Sequence, residues 1–156
     1  MSEIACASCA LIARRDRNEA PDWDSMLRTE FWDVVHCNDT SLPGWMVLVL
    51  RRHVASVAEL TEAEALECGE LQRQVSIALT HAIGCVRTYV SQFAESLDHR
   101  HVHYHLIPRM PDMPDEARGP NVFQRYLGVG EAARVPEARM NEIAGSVRHA
   151  LLTMRA

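Results

Sequence analysis

Histidine alternates with other residues along residues 99–109, and this is the most regular pattern in the chain. Successive side chains of a β-strand point to opposite faces, so an extended segment would place four imidazoles in one row. A helix would scatter the same side chains around its axis. The pattern therefore predicts a strand with one apolar face and one face that carries nucleophiles or metal ligands. The imidazole row is His99, His101, His103 and His105, and the core-facing row is Val102, Tyr104 and Leu106.

Three further stretches have the pattern of strands. Residues 45–50 form a continuous apolar run, which is typical of a central strand covered on both faces. Residues 27–37 are rich in aromatic and β-branched side chains and predict a strand or hairpin arm. Apolar residues alternate with polar ones over residues 86–91, and the short connection from there to the histidine segment predicts an antiparallel hairpin.

Two helices follow from helical spacing of apolar residues. The first begins at a capping box formed by Thr61 and Glu64, runs to residue 83 and ends at Gly84. The second covers residues 136–155, and its apolar stripe is interpreted as core packing. The acidic, proline-rich region 110–135 is predicted to be loop with a short helix at 122–127. These elements indicate a single α+β domain over residues 1–156, with its core within about 5–109.

Composition narrows the class of protein. The 156 residues are 47% apolar and 24% charged, which is typical of a soluble globular domain. The formal charge of −5 argues against a nucleic-acid-binding protein. No apolar run approaches the ~20 residues of a membrane helix, and the first residues lack a secretory pattern. Five cysteines without a regular framework argue against disulfides, so we expect a cytoplasmic protein.

Two cysteines near the start suggest a metal site. Cys6 and Cys9 form a CxxC pair, which is compatible with a redox couple, half of a metal site or a chance pairing. A redox couple is expected at the start of a helix that follows a strand, and no strand is predicted upstream, so half of a metal site is favoured. Structural zinc takes four cysteine or histidine ligands. His53, directly after the predicted central strand, and one histidine of the row are candidates for the other two.

The run HVHYHLIPR at residues 101–109 resembles the signature of the histidine-triad family, which consists of small nucleotide hydrolases and transferases. The resemblance extends over about residues 5–109. It includes the CxxC pair. It also includes Gly44, the predicted strand that follows it, and the basic-x-His sequence Arg51-Arg52-His53 after that strand. It implies an α+β fold with an antiparallel sheet of about five strands, a long helix on one face and an added C-terminal helix. It also implies a homodimer.

The resemblance implies roles for single residues. His103 would attack a phosphorus atom and carry a covalent nucleotidyl group, a step for which a neutral imidazole is suited. His105 would contact the phosphate, and His101 would support His103. A structural zinc ion would be held by four ligands, Cys6, Cys9, His53 and His101.

The chain departs from the family pattern at two places. Family members commonly have a Gly-Gln-Ser or Gly-Gln-Thr segment before the triad. Residues 95–98 read ESLD here, with Ser96 as a candidate substitute in substrate binding. The usual position of a ribose-binding acid is occupied by Cys37, and Asp39 is the nearby candidate. His99 lies outside the motif and is expected to be exposed, although a phosphate contact or a metal ligand are alternatives.

The predicted function is hydrolysis or nucleotidyl transfer on small-molecule nucleotides, of the dinucleoside polyphosphate or nucleoside phosphoramidate type. One alternative is a nucleotide-binding or scaffolding protein with weak or no catalysis, which the missing segment favours. Another is a hydrolase centred on a catalytic metal ion. The histidine row has no carboxylate neighbours besides Glu95 and Asp98, which argues against this second alternative.

Overall fold

A five-stranded antiparallel sheet is the centre of the computed structural model, which describes residues 6–156. The strand order is β1-β2-β3-β5-β4, so β3 is central, and all of its residues are buried as predicted. The strands are β1 (Leu27–Arg28), β2 (Trp32–His36), β3 (Met46–Leu50), β4 (Arg87–Ser91) and β5 (His103–Arg109). The helices are α1 (Ala7–Asp16), α2 (Glu62–Ile83), α3 (Asn121–Tyr126) and α4 (Glu137–Arg155).

The sheet is covered on both faces, and the alternation of side chains decides what lies on each. Leu48 and Leu106 belong to the cluster that includes α2 and α4, whereas Val47 and Ile107 belong to the cluster that includes Ile12 of α1. Full burial of such a side chain contributes roughly 1.5–3 kcal/mol. The predicted α+β fold, with a long helix on one face and an added C-terminal helix, is confirmed.

The long helix is formed as its sequence predicts. The Thr61 hydroxyl accepts a hydrogen bond from the Glu64 N–H at 3.2 Å, and the Glu64 carboxylate accepts one from the Thr61 N–H at 2.8 Å. At the other end, Gly84 adopts the left-handed conformation with φ of 70°, which glycine adopts without strain. The 22-residue helix therefore has both of its predicted ends.

The prediction of a strand from residue 99 is wrong at its start, because β5 begins only at His103. The His99 N–H donates to the carbonyl of Ser96 at 3.0 Å, and the His101 N–H donates to the carbonyl of His99 at 2.7 Å. These local turns use backbone groups that a strand would pair with its neighbour. Of the four alternating histidines, therefore, only His103 and His105 belong to β5 and share one of its faces.

Two other regions differ in detail from the sequence analysis. Helix α1 has no counterpart among the predicted elements, and the predicted loop region contains α3 close to its expected position. The buried side chains of α4 pack in the cluster with α2, in agreement with the predicted core role. Among residues 6–156, the helices all fall short of the length or apolar character that crossing a bilayer requires.

Candidate active site and metal centre

A cleft of about 400 Å³ opens on the sheet face opposite α2. Its floor includes two cross-strand pairs, because Val49 of β3 lies opposite His103 of β5 and Val47 lies opposite His105. The antiparallel register between β3 and β5 thus places two imidazoles side by side on an apolar surface. Helix α1, the loop after β2, the loop after β4 and α3 supply the walls.

His103 is held in one tautomer by the backbone. Its Nδ1 lies 2.7 Å from the carbonyl oxygen of His101, and a carbonyl only accepts, so Nδ1 is the protonated nitrogen. The neutral ring then has its lone pair on Nε2. Burial lowers the pKa of His103, and the hydrogen bond to the His101 carbonyl opposes this shift in part. His103 is therefore an oriented, neutral imidazole with a free nitrogen that can attack an electrophile.

His105 has the opposite hydrogen-bond pattern. The indole N–H of Trp45 lies 3.0 Å from Nδ1 of His105, and because an indole only donates, this Nδ1 has the lone pair. The proton of the neutral ring is then on Nε2. Burial, with a smaller contribution from the neighbouring His103, lowers the pKa of His105 to about 3. His105 therefore remains a neutral N–H donor beside the nucleophilic nitrogen.

An aromatic wall that the sequence analysis missed stands over this pair. Phe123 of α3 packs edge to face against His105, with ring centroids 5.5 Å apart, and against Trp45 at 5.3 Å. Phe93, from the loop after β4, packs in the same manner on Phe123 at 5.3 Å. Isolated aromatic residues in predicted loop and strand segments have no local signal that identifies them as parts of a site.

The four predicted metal ligands converge at one end of the sheet. One donor atom from each of Cys6, Cys9, His53 and His101 lies within 4.8 Å of all the others. Zn–N bonds near 2.05 Å and Zn–S bonds near 2.3 Å require about 3.3 Å between nitrogens and about 3.6 Å between nitrogen and sulfur in a tetrahedron. The two Nδ1 atoms are 3.2 Å apart, and three of the four nitrogen–sulfur distances are 3.3–3.6 Å. The donor set therefore fits a tetrahedral zinc ion.

Backbone hydrogen bonds bring these ligands together from distant parts of the chain. The Val102 N–H donates to the carbonyl of Val54 at 2.8 Å, which places His53 beside His101. The Ala7 N–H donates to the carbonyl of Asp98 at 2.8 Å and anchors the start of α1 at the same place. The metal centre therefore joins three segments: the start of α1, the loop after β3 and the turn before β5.

The protonation of the ligands also suits a cation. His101 donates its Nε2 proton to the carbonyl of Leu50 at 2.6 Å, which leaves the Nδ1 lone pair directed at the cluster, a common arrangement around zinc. Burial and the neighbouring Cys6 raise the pKa of Cys9 to about 11. A bound cation would reverse this effect, because it stabilises thiolate.

All three predicted substrate-binding residues line the cleft, and two of them, Asp39 and Ser96, interact with other side chains of the chain. Asp39 is 3.0 Å from a guanidinium nitrogen of Arg134, and the hydroxyl of Ser96 donates to the carboxylate of Asp98 at 2.7 Å. Cys37 also lines the cleft, and burial raises its pKa to about 11. His99 is not simply exposed, because it lines the cleft and its Nδ1 lies 3.0 Å from the hydroxyl of Ser8.

Comparison with solved structures shows that this chain has the fold of histidine-triad proteins. A Hit-like protein involved in cell-cycle regulation from Bartonella henselae has a TM-score of 0.66 at 19% identity, over 90% of this chain and 94% of that chain. Comparisons with protein-family models and with curated proteins found no match.

Two further structures have the same fold at low identity. A Zn-bound histidine triad family protein from Mycobacterium smegmatis has a TM-score of 0.65 at 13% identity, over 99% of this chain and 98% of that chain. A diadenosine triphosphate hydrolase from Plasmodium falciparum has a TM-score of 0.62 at 14% identity, over 84% of this chain and 78% of that chain. At such identities the likeness establishes the histidine-triad fold of this chain.

Proposed function

We propose that this protein is a histidine-triad hydrolase or nucleotidyl transferase that acts on dinucleoside polyphosphates or nucleoside phosphoramidates through a nucleotidyl group on His103. The observation that carries the proposal is the pairing of His103 and His105. Their ring centroids are 5.0 Å apart, and their Nδ1 partners leave one Nε2 as a nucleophile and the other as a donor. The similarity in fold to a diadenosine triphosphate hydrolase supports the substrate class.

The proposed reaction has two displacements at phosphorus. The Nε2 lone pair of His103 attacks the α-phosphorus, a P–N bond forms, and the bond to the leaving group breaks. A polyphosphate departs with the bonding electrons as an anion, whereas an amine departs with the bonding electrons and takes up a proton from solvent. The carbonyl of His101 stabilises the positive charge on the substituted His103 ring, and His105 donates its N–H to a phosphate oxygen. Water then attacks phosphorus, breaks the P–N bond and loses a proton to solvent.

We further propose that Cys6, Cys9, His53 and His101 hold a structural zinc ion. The donor distances and the Zn-bound neighbour of the same fold support this proposal. Four protein ligands complete a tetrahedron, so the site has no open position for substrate, which argues against the metal-centred hydrolase. When bound, zinc would stabilise the segment whose His101 carbonyl orients His103.

Intact-mass spectrometry tests the covalent step. After mixing with an adenosine phosphoramidate or a dinucleoside polyphosphate, the parent protein is expected to gain the mass of one adenylyl group, and His103→Asn is not. The matched control is His149→Asn, which changes an exposed histidine on α4 outside the cleft and should retain the adduct.

The alternative of a binding protein with weak or no catalysis has one observation in its favour. The Ser96 hydroxyl donates to Asp98 and the charge of Asp39 is paired with Arg134, so both groups already interact within the chain, although Oδ1 of Asp39 makes no hydrogen bond to the described residues. Absence of both adduct and turnover over a panel of nucleotides, with nucleotide binding retained, would contradict the enzymatic proposal and favour this alternative.

A further inference from the structure

We propose that His99 is an additional phosphate-contacting residue of the cleft and that Ser8 is its positioning residue. This inference rests on the proposed nucleotide chemistry and extends it to residues outside the triad. His99 precedes β5, lines the same cleft as His103 and has 39% of its side-chain surface exposed, so it is accessible to a ligand without being free in solvent.

Ser8 and Asp98 contact opposite nitrogens of the His99 ring and so set its orientation. Ser8 lies in the first turn of α1, is only 6% exposed, and places its hydroxyl 3.0 Å from Nδ1 of His99. A hydroxyl can donate or accept, so this bond fits either tautomer, and when the hydroxyl donates to Nδ1 the proton of the neutral ring is on Nε2. The carboxylate of Asp98 lies 4.0 Å from Nε2, beyond hydrogen-bond distance, and its charge favours a proton on that nitrogen. His99 thus presents an N–H that has no hydrogen-bond partner among the described residues.

Several other polar side chains of the cleft have their donors occupied. The guanidinium of Arg15 donates to Asp24 at 2.6 Å and to Asp33 at 3.3 Å. The hydroxyl of Ser96 donates to Asp98. His36 has partners on both ring nitrogens, at 2.7 Å and 2.9 Å. Among the described residues of the segment 95–102 that line the cleft, His99 therefore supplies the available side-chain donor.

A phosphate under attack needs such a donor. Negative charge grows on both non-bridging oxygens as the nucleophile approaches, and donors fixed in advance stabilise this charge. The Nε2–H of His105 serves one oxygen in the proposed mechanism. The Nε2–H of His99, on the other side of His103 along the chain, provides a second hydrogen bond to the same phosphate group. The site therefore recognises a phosphate ester of a nucleoside in preference to the nucleoside itself.

Calorimetric binding of AMP and adenosine to the full-length, zinc-containing protein tests this role without requiring catalysis. His99→Leu is expected to weaken AMP binding by about tenfold or more, since it removes a hydrogen bond to a charged group, and to leave adenosine binding unchanged. His99→Gln retains an N–H donor and should remain within about threefold of the parent. Ser8→Ala should weaken AMP binding by about threefold. His149→Leu is the matched control and should match the parent for both ligands.

Zinc content and melting temperature are measured for each variant, because Ser8 and His99 lie near the metal ligands. If His99→Leu loses zinc, the AMP affinities of Ser8→Ala and the parent are compared instead. Weaker AMP binding by zinc-loaded Ser8→Ala supports the role of His99, and equal binding overturns it. Equal affinity of the parent and the zinc-loaded variants for AMP would overturn the role of His99 alone. A parent that binds neither ligand would overturn the proposed function and this role together. Selective loss of AMP affinity in a protein that forms no adduct would support His99 while contradicting covalent catalysis.

Discussion

At the scale of single residues, two histidines of one strand face differ in chemistry because their Nδ1 partners differ. A backbone carbonyl can only accept, so it holds a proton on His103, whereas an indole can only donate, so it holds a lone pair on His105. The free imidazole allows either tautomer at neutral pH. Trp45 is therefore a positioning residue for His105, a role that its place in an apolar strand did not indicate.

Trp45→Phe should reduce kcat by about fivefold, the effect of one neutral hydrogen bond. Phenylalanine retains the aromatic contact with His105 but loses the N–H, so His105 can protonate either nitrogen. Steady-state kinetics and the rate of adduct formation measure the change. Trp32→Phe is the matched control, because it removes the indole hydrogen bond to the carbonyl of Glu64 in the core that includes α2 and should leave kcat unchanged. An unaltered kcat in Trp45→Phe would contradict the assigned tautomer.

At the scale of elements, the start of α2 is tied to the loop after β3. The Glu64 carboxylate accepts hydrogen bonds from the Thr61 N–H and from the guanidinium of Arg52, the latter at 2.7 Å and 2.9 Å. Arg52 directly precedes the candidate zinc ligand His53. The capping box therefore stabilises both the helix and the loop that carries the candidate zinc ligand His53.

Glu64→Gln should lower the free energy of unfolding by about 1–2 kcal/mol at pH 7, because it weakens the bonds to Arg52 and to the cap. Hydrogen bonding by Arg52, together with that by Thr61, lowers the pKa of Glu64 from 4.5 to about 2. A lowered folded-state pKa gives stability that is present above about pH 4.5 and is lost as pH falls toward 2. The difference in the free energy of unfolding between the parent and Glu64→Gln should therefore persist at pH 5 and shrink at pH 3.

Urea unfolding at pH 7, 5, 4 and 3 measures this difference. Glu62→Gln changes an exposed carboxylate in the same helical turn and should have little effect at any of these values. A difference between parent and Glu64→Gln that does not depend on pH would show that the charge of Glu64 is not responsible.

At the scale of the whole molecule, the candidate metal centre connects segments that are far apart in the chain. Cys6 and Cys9 belong to the start of α1, while His53 and His101 flank the central strands. A metal ion that binds only the folded chain adds its binding free energy to stability. The predicted homodimer stays a prediction, open to a light-scattering test, and the edge strand β4 with its exposed neighbour Val86 is the surface that would suit it.

The purified protein should contain one zinc ion per chain by elemental analysis. Cys9→Ser should lose most of the zinc and lower the melting temperature by on the order of 5–10 °C, as expected when several kcal/mol of metal binding are lost. Cys37→Ala, which changes a cysteine outside the cluster, should retain the metal. Zinc-free parent protein, or a melting temperature that a strong chelator leaves unchanged, would contradict the metal centre.

The features that the sequence predicted correctly are those with a local signal. The capping box and Gly84 define α2 because caps depend on residues within one helical turn. The apolar run in β3 predicted a strand covered on both faces because such a strand buries every side chain. The four candidate zinc ligands were named from a resemblance in spacing, and the folded chain brings their donor atoms together.

The remaining features depend on contacts between distant residues, so only the tertiary structure decided them. The start of β5 is set by turns and by the anchoring of α1, which local periodicity does not record. Trp45 donates a hydrogen bond to His105 across the sheet, and Ser8 of α1 hydrogen-bonds to His99. Arg134, in the segment before α4, forms an ion pair with Asp39. The amino-acid pattern by itself determined which chemical groups this protein has and the face on which β5 presents them. Their tautomers, partners and accessibility came from packing, because a hydrogen bond between residues many positions apart exists only once the chain is folded.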